Sequence, residues 1–297
     1  MRSAEQATRT ENRLATVQNT TQRAARVGSR ILTNSLLLVY SFTAIFPIIW
    51  MVYSSLKTRE EFARDVFSLP STINFASYIQ IISEGFFFRA LFNSIFASTI
   101  SILLIVAISF PIAYALARYQ FRGRRIIYLF FLFGLMVPVY ALLVPVFLQF
   151  KAIGMLDNQF TIIAPLVGFE MSGAIFLIES YIRSIPTEVE EAAFIDGAGV
   201  SYILARIVFP MCLPIVVTIL ILDFLWTWNA FAFPLILLRS TELKTIPLWL
   251  NTFHGERSTD YPTLMGALVL ASIPVIVVYL IFREKIMQGM VAGATKG

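Results

Sequence analysis

The sequence predicts an all-α integral membrane protein with six transmembrane helices, and three observations carry that reading. Of 297 residues, 58% are apolar and only 14% are charged, against roughly 45–50% and 25% in ordinary soluble domains. The apolar residues gather into runs long enough to cross a bilayer, which takes roughly 20 residues per helix. The arginines crowd the short connections on one side. A soluble fold of this size cannot hide that much apolar surface, and the same figures exclude disorder. Cys212 is the only cysteine, so no internal disulfide scaffold exists. One histidine, His254, argues against a metal centre built on imidazole, and no metal ligand set is expected. The runs are continuously apolar rather than alternating, which excludes a β-barrel.

Taken in order, residues 1–30 are rich in Arg, Thr, Gln, Asn and Ala and read as a polar cytoplasmic tail or a weak surface helix. They are not a signal peptide: the apolar run that follows is too long, and no small-residue cleavage site closes it. The transmembrane domain covers 31–283, with spans at about 31–56, 90–117, 126–150, 160–178, 210–238 and 261–282, and a tail at 284–297. Stretches free of charge run Ile31–Leu56, Ala90–Ala117, Ile126–Phe150 and Tyr261–Phe282. The fourth and fifth spans carry one acid each, Glu170 and Asp223. The apolar stretch Ile207–Leu238 is 32 residues long, so part of it lies outside the bilayer or the helix tilts. Prolines at 47, 111, 138, 145, 214, 234 and 274 fall inside these spans. Each removes an N–H and can kink its helix, which is tolerable only where protein or water meets the freed carbonyls. Pro138 and Pro145 are read as a hinge in the third span.

Lysine and arginine choose the orientation. With the N-terminus inside, 15 of these residues fall on the cytoplasmic side and 8 outside. The short connection Arg118–Arg125 weighs most, with four arginines and no acid. Both termini are therefore placed in the cytoplasm of a bacterial or archaeal cell. The net charge of +5 is assigned to this basic inner face beside anionic lipid, with no nucleic acid required.

The inner connection 179–209 breaks that pattern. It carries Glu179, Glu188, Glu190, Glu191 and Asp196 against Arg183 and Arg206. Pro186-Thr187 opens a helix, with Thr187 and Glu190 spaced as a capping box and three glutamates where the helix dipole favours them. Asp196-Gly197 supplies the stop. An acidic helix ill suits an anionic leaflet but fits a basic cleft on a protein partner; the alternative is a surface helix with solvated acids. The chain lacks a G-x-x-x-x-G-K-[ST] sequence, so any ATP used in transport is bound by another chain.

The run Glu191-Ala192-Ala193-Phe194-Ile195-Asp196-Gly197-Ala198, followed by Phe209-Pro210 and Leu213-Pro214, resembles the EAA loop of ABC-type importer permeases. Asn93-Ser94, Met136-Val137-Pro138, Val144-Pro145, Gly154-Met155-Leu156-Asp157-Asn158, Trp228-Asn229-Ala230-Phe231 and the tail from Gln288 resemble the branch that imports sugars, in particular the second permease of maltose-type transporters. The resemblance covers roughly residues 30 to 297. It implies a type I ABC importer permease fold and the import of a carbohydrate, by family expectation an oligosaccharide. It implies a second permease subunit, two ATP-binding subunits and an extracytoplasmic solute-binding protein as partners. ATP and magnesium would sit on the ATPase, and this chain would bind no cofactor and carry no catalytic residue. Glu190, Glu191, Ala192, Ala193, Asp196 and Gly197 would couple to the ATPase. Gln288 and Gly289 would reach its dimer interface, and the outer loop Arg239–Asp260 would meet the binding protein.

Acids inside spans must face a partner, a watery cavity or a neutralising proton. Glu170 and Asp223 are therefore candidates for the substrate pathway. Asp223, Trp226, Asn229 and Phe233 follow helical spacing along one side and could line the same path, with Trp226 stacking on a sugar ring. The alternative is packing, with Asn229 in an inter-helix hydrogen bond. Two other functions compete. A stand-alone ion-coupled secondary transporter would show an ion relay or inverted repeats, and neither is evident. An intramembrane enzyme would need a catalytic constellation such as H-E-x-x-H, which one histidine cannot supply.

Overall fold

The computed structural model describes residues 30–253 and 260–294, with side chains described as far as Arg283. Among the described residues every regular element is helical. In chain order they are α1 (Arg30–Ser54), α2 (Arg59–Arg64), α3 (Ala76–Ser83), α4 (Phe86–Arg118), α5 (Arg124–Gly134), α6 (Leu143–Ala152), α7 (Ile163–Ser184) and α8 (Glu188–Ile195). Then come α9 (Val200–Met211), α10 (Leu213–Trp228), α11 (Ala232–Leu237), α12 (Ile246–Leu250) and α13 (Tyr261–Ala294). Four of them, α1, α4, α7 and α13, are each long and apolar enough to cross a membrane.

The other two expected spans are bent. Where a continuous third span is expected, α5 meets the segment Val139–Ala152 at 98°. The turn lies between Gly134 and Val139, and Pro138 opens a short 3₁₀ turn, Val139–Leu142. Pro145 sits in the first turn of α6, where a missing N–H leaves no bond unmade. The bend thus lies ahead of Pro138, not between the two prolines. Gly134 allows α5 to close on α7: a methyl group there would stand 2.6 Å from Ser172 Oγ. The fifth apolar stretch divides as well. α9 turns by 75° into α10, and α10 stops at Trp228, with Asn229 as its C-cap, before α11 begins at Ala232.

The core is built where α4, α7 and α10 meet. α4 turns Ser94, Ser98, Ser101, Ser109 and Ala113 inward, and such small residues let helices approach closely inside a membrane. Ile105 and Phe110 from α4 pack with Ile175, Ile178 and Ile182 from α7 and with Val216 and Ile219 from α10. Smaller clusters cover the far end, around Trp228 and Trp249 and around Phe233 and Leu237. α1 stands apart from this body: its apolar run is 0% buried, so lipid or another protein must cover it.

The two ends of the bundle differ. One end gathers the arginine-rich connection and the 185–209 loop. At the other, Asn93 donates to the carbonyls of Glu242 (2.8 Å) and Lys244 (3.1 Å) and accepts from Gln159 (3.0 Å). Ser94 Oγ accepts from the amide of Ile246 at 2.8 Å. Asp157, at φ 57°, accepts from the amides of Arg239 and Ser240 at 2.8 Å each and from the Ser240 hydroxyl. These contacts pin the segment after α11 to the start of α4 and to the turn before α7. Lys57, 1% exposed, donates to the carbonyls of Asp65 and Val66 and to Ser68 Oγ, beside the rings of Tyr53 and Phe62. Arg59 reaches Asp260 at 2.5 Å, tying α2 to the start of α13.

Candidate functional site: the acidic loop

The acidic loop starts where α7 runs out. Ile185 is extended (φ −83°, ψ 129°), as a residue before proline must be, and Pro186-Thr187 redirect the chain into α8. Glu179, expected in the loop, lies within α7, buried and paired with Arg183 one turn on. The expected capping box at Thr187 does not form. Thr187 makes no side-chain cap bond, and Glu190 turns away from it. A capping box with the same spacing closes instead at Thr58 and Glu61, at the start of α2.

Glu190 has been claimed by a distant partner. It is 5% exposed and accepts from Arg118 Nε at 2.7 Å and from the Tyr114 hydroxyl at 2.8 Å. Arg118 also donates to the Ile185 carbonyl at 2.8 Å. Glu190, expected among the coupling residues, is therefore the buried root of the helix and is not on the exposed face that carries Glu191. A desolvated pair of this kind loses several kcal/mol when one partner is removed, since the other is left buried and unpaired. α8 is thereby fastened to the end of α4.

The outward side carries Glu188, Glu191 and Ala192, all exposed, with Ala193 half-buried beneath them. Ile195 is 87% exposed, an apolar tip on an otherwise acidic helix. Behind it the stop is complete. Asp196 is the C-cap, Gly197 takes φ 83°, its amide bonds to the Phe194 carbonyl, and the Ala198 amide reaches back to the Ala193 carbonyl, both at 3.0 Å. That is a Schellman motif, and glycine enters the left-handed region there at no steric cost. α9 follows, with a π-helical stretch at Ile203–Val208 just ahead of Pro210, whose ring denies the preceding turn its regular bond. Ile203 and Val208 anchor α9 in the core and Cys212, fully buried, marks the elbow into α10. The loop thus presents an exposed acidic face and an exposed apolar tip on a helix whose root, Glu190, is buried.

The pathway residues separate. Glu170 is half-buried on α7. Asp223 is 5% exposed, its Oδ2 without a hydrogen-bond partner among the described residues. Trp226 is 65% exposed and Asn229 is exposed beside it, whereas Phe233 is buried against Phe169, ring centroids 5.4 Å apart. The expected single stripe is therefore corrected, because the break after Trp228 rotates Phe233 away from α10. Among the described residues Asn229 makes no inter-helix bond; its side chain donates to the Leu225 carbonyl of its own helix at 2.7 Å. Only Trp226 and Asn229 share an open surface. The side chains of Gln288 and Gly289 lie outside the described residues, as do residues 254–259 of the outer loop. Tyr114 and Arg118, which root α8, gave no local signal: Arg118 reads as one more inner-face base.

Residues 107–290 match the family model described as binding-protein-dependent transport system inner membrane component. The chain is 34% identical to the trehalose transport system permease protein SugB of Mycobacterium tuberculosis, covering 86% of this chain and 93% of that one. It is 31% identical to the diacetylchitobiose uptake system permease protein NgcG of Streptomyces coelicolor, covering 86% and 85%. Among solved structures it superimposes on a chain of a bacterial ABC transporter involved in the import of the acidic polysaccharide alginate, with a TM-score of 0.76, 29% identity, and coverage of 86% and 95%.

Proposed function

The chain belongs to the family of binding-protein-dependent transport system inner membrane components, the permeases of ABC importers, and from that premise we propose that it forms half of the path by which a carbohydrate, an oligosaccharide by preference, is imported at the expense of ATP. The partners are a second permease, two ATP-binding subunits that hold ATP and magnesium, and an extracytoplasmic solute-binding protein. Relatives named for trehalose and diacetylchitobiose and a solved transporter for alginate support a sugar cargo. The arginine-rich end faces the cytoplasm with both termini. The six spans are α1, α4, α7, α13, the bent segment from α5 to α6, and the apolar stretch from α10 through α11.

One observation carries the coupling role: α8 offers Glu188, Glu191, Ala192 and Ile195 outward from a root locked to α4 by Glu190, Arg118 and Tyr114. A cleft with basic side chains on the ATPase accepts that face, with Ala192 and Ala193 allowing close approach. ATP binding draws the ATPase pair together, α8 follows as a lever, and α4 and its neighbours swing to open the path outward. A ligand shifts such an equilibrium only through unequal affinity for the two states, so the coupling must run through this contact. Asp196 and Gly197 end the lever, and the tail at Gln288 and Gly289 reaches the ATPase interface. Trp226 and Asn229 offer a ring and an amide to passing sugar, with Glu170 and Asp223 deeper in the wall.

The test is charge reversal at Glu191. Glu191→Lys is expected to reduce sugar uptake at least tenfold and to weaken recovery of the ATPase with the permease, while membrane insertion stays intact. Wild-type uptake in that variant would remove α8 from the coupling route.

A further inference from the structure

The end of the bundle that carries α8 also holds a concavity of about 520 Å³ between the turn before α5 and the last turn of α7, lined by Gln120, Phe121, Arg124, Arg125, Tyr128 and Arg183 among others. Three arginines line it. Arg124 commits its Nε to the Leu116 carbonyl at 2.8 Å, which fixes the side chain. Arg183 is steadied by the buried carboxylate of Glu179, one turn back on α7. Among the described residues Arg125 has no carboxylate partner. The concavity therefore keeps a surplus of about two positive charges after the Glu179 pair is discounted. Gly123 caps α5 with no side-chain bond; the Arg124 amide bonds the Phe121 carbonyl, and the positive end of the helix dipole adds a favourable field for an anion at the same place.

An apolar track leads out of this basic hollow. Ile126, Phe130 and Phe133, spaced along one side of α5, are 73%, 72% and 62% exposed. A guanidinium cradle continuing into an exposed apolar stripe matches a molecule with an anionic head and a hydrocarbon tail, and matches neither a soluble anion nor bare solvent. We propose that this concavity binds the phosphodiester headgroup of an anionic phospholipid of the inner leaflet, with Arg124, Arg125 and Arg183 on the phosphate and an acyl chain along Ile126 and Phe130. Basic hollows between membrane helices are suited to such headgroups, and arginine's planar fork matches phosphate oxygens. The bound lipid bridges the start of α5 to the end of α7, immediately ahead of the acidic loop. The inference rests on the arginine-rich end facing the cytoplasm but is independent of the cargo and of α8 docking.

The test uses the assembled transporter purified in detergent and stripped of loosely held lipid. Phosphatidylglycerol and phosphatidylcholine with the same acyl chains compete for it, and bound lipid is read by native mass spectrometry. Wild type is expected to favour phosphatidylglycerol about tenfold. Arg125→Gln with Arg183→Gln is expected to bring that preference near parity, while Arg118, Arg122 and Arg124 preserve the insertion signal. The variant with lysine at both positions, which keeps charge and loses the fork, falls between. No headgroup preference in wild type overturns the proposal without recourse to any variant, and so does an undiminished preference in the glutamine pair. Thermal stabilisation by inorganic phosphate equal to that by phosphatidylglycerol would also overturn it, assigning the hollow to a free anion.

Discussion

Removing the charge of Glu190 leaves Arg118, whose side chain is 10% exposed, buried without a counter-ion, and that asymmetry makes the pair testable. Glu190→Gln is expected to destabilise the purified complex by roughly 3 kcal/mol. Adding Arg118→Met should restore part of the loss, because the double variant no longer buries a lone charge. Strictly additive losses in thermal melts would show that the two side chains do not act as a pair. Asp157 allows a second prediction at this scale. Hydrogen bonds from the Ser240 hydroxyl and from the amides of Ser240 and Arg239 hold its carboxyl below the usual range. A lowered carboxylate contributes stability above its ordinary pKa, about 4, and loses it as pH falls through the native value. Asp157→Asn should therefore melt below wild type at pH 7, with the gap closing as pH drops under about 4. A gap independent of pH would mean that the charge is not what holds the turn. Neither partner set was legible in the sequence. The spacing of Thr187 and Glu190 satisfies a capping box, but a capping hydrogen bond is worth about 1 kcal/mol, less than pairing a buried arginine 72 residues away in sequence.

Among the elements, what could be read and what could not follows the range of the forces involved. The long apolar runs announced α1, α4, α7 and α13, because burying apolar residues in lipid needs only composition and length. The acids of α8 and its stop at Gly197 were also legible, since dipole and cap act within one turn. The bends at Pro138 and after Trp228 were not. Proline marks a place where a helix can break, yet the direction taken depends on neighbours, here the contact of Gly134 with Ser172. The loss of the Asp223–Phe233 stripe has the same cause, since helical spacing holds only while the helix continues. Two glycines separate backbone from packing at the end of α8. Gly197 has φ 83° and Gly199 does not, and an added Cβ would meet nothing within 4 Å at either position. Gly197→Val is expected to lower uptake per ATP hydrolysed several-fold by fraying the cap, while Gly199→Val, with an extended backbone, leaves it near wild type. Equal effects at the two positions would set aside the left-handed cap as the cause.

At the scale of the whole molecule, two ends are tied differently around one core. The far end is laced by Asn93, Ser94, Asp157 and the Arg59–Asp260 pair, which ties its loops together. The near end hangs α8 from α4 through Glu190, held by Arg118 and Tyr114, and leaves the helix tip open. Under the proposed coupling, force applied at α8 enters the bundle at α4, the helix packed most extensively against α7 and α10. The apolar flank of α1 fits a second permease or lipid alongside this body. Site-directed cross-linking at the tip of α8 tests the account most directly. The native cysteine Cys212 is fully buried, so Ile195→Cys supplies the accessible thiol. In inside-out membrane vesicles this residue should cross-link to the ATP-binding subunit, with a yield that changes when ATP is bound. An Ile195→Cys thiol that stays free in the assembled transporter, or that reacts only from the extracytoplasmic side, would contradict it.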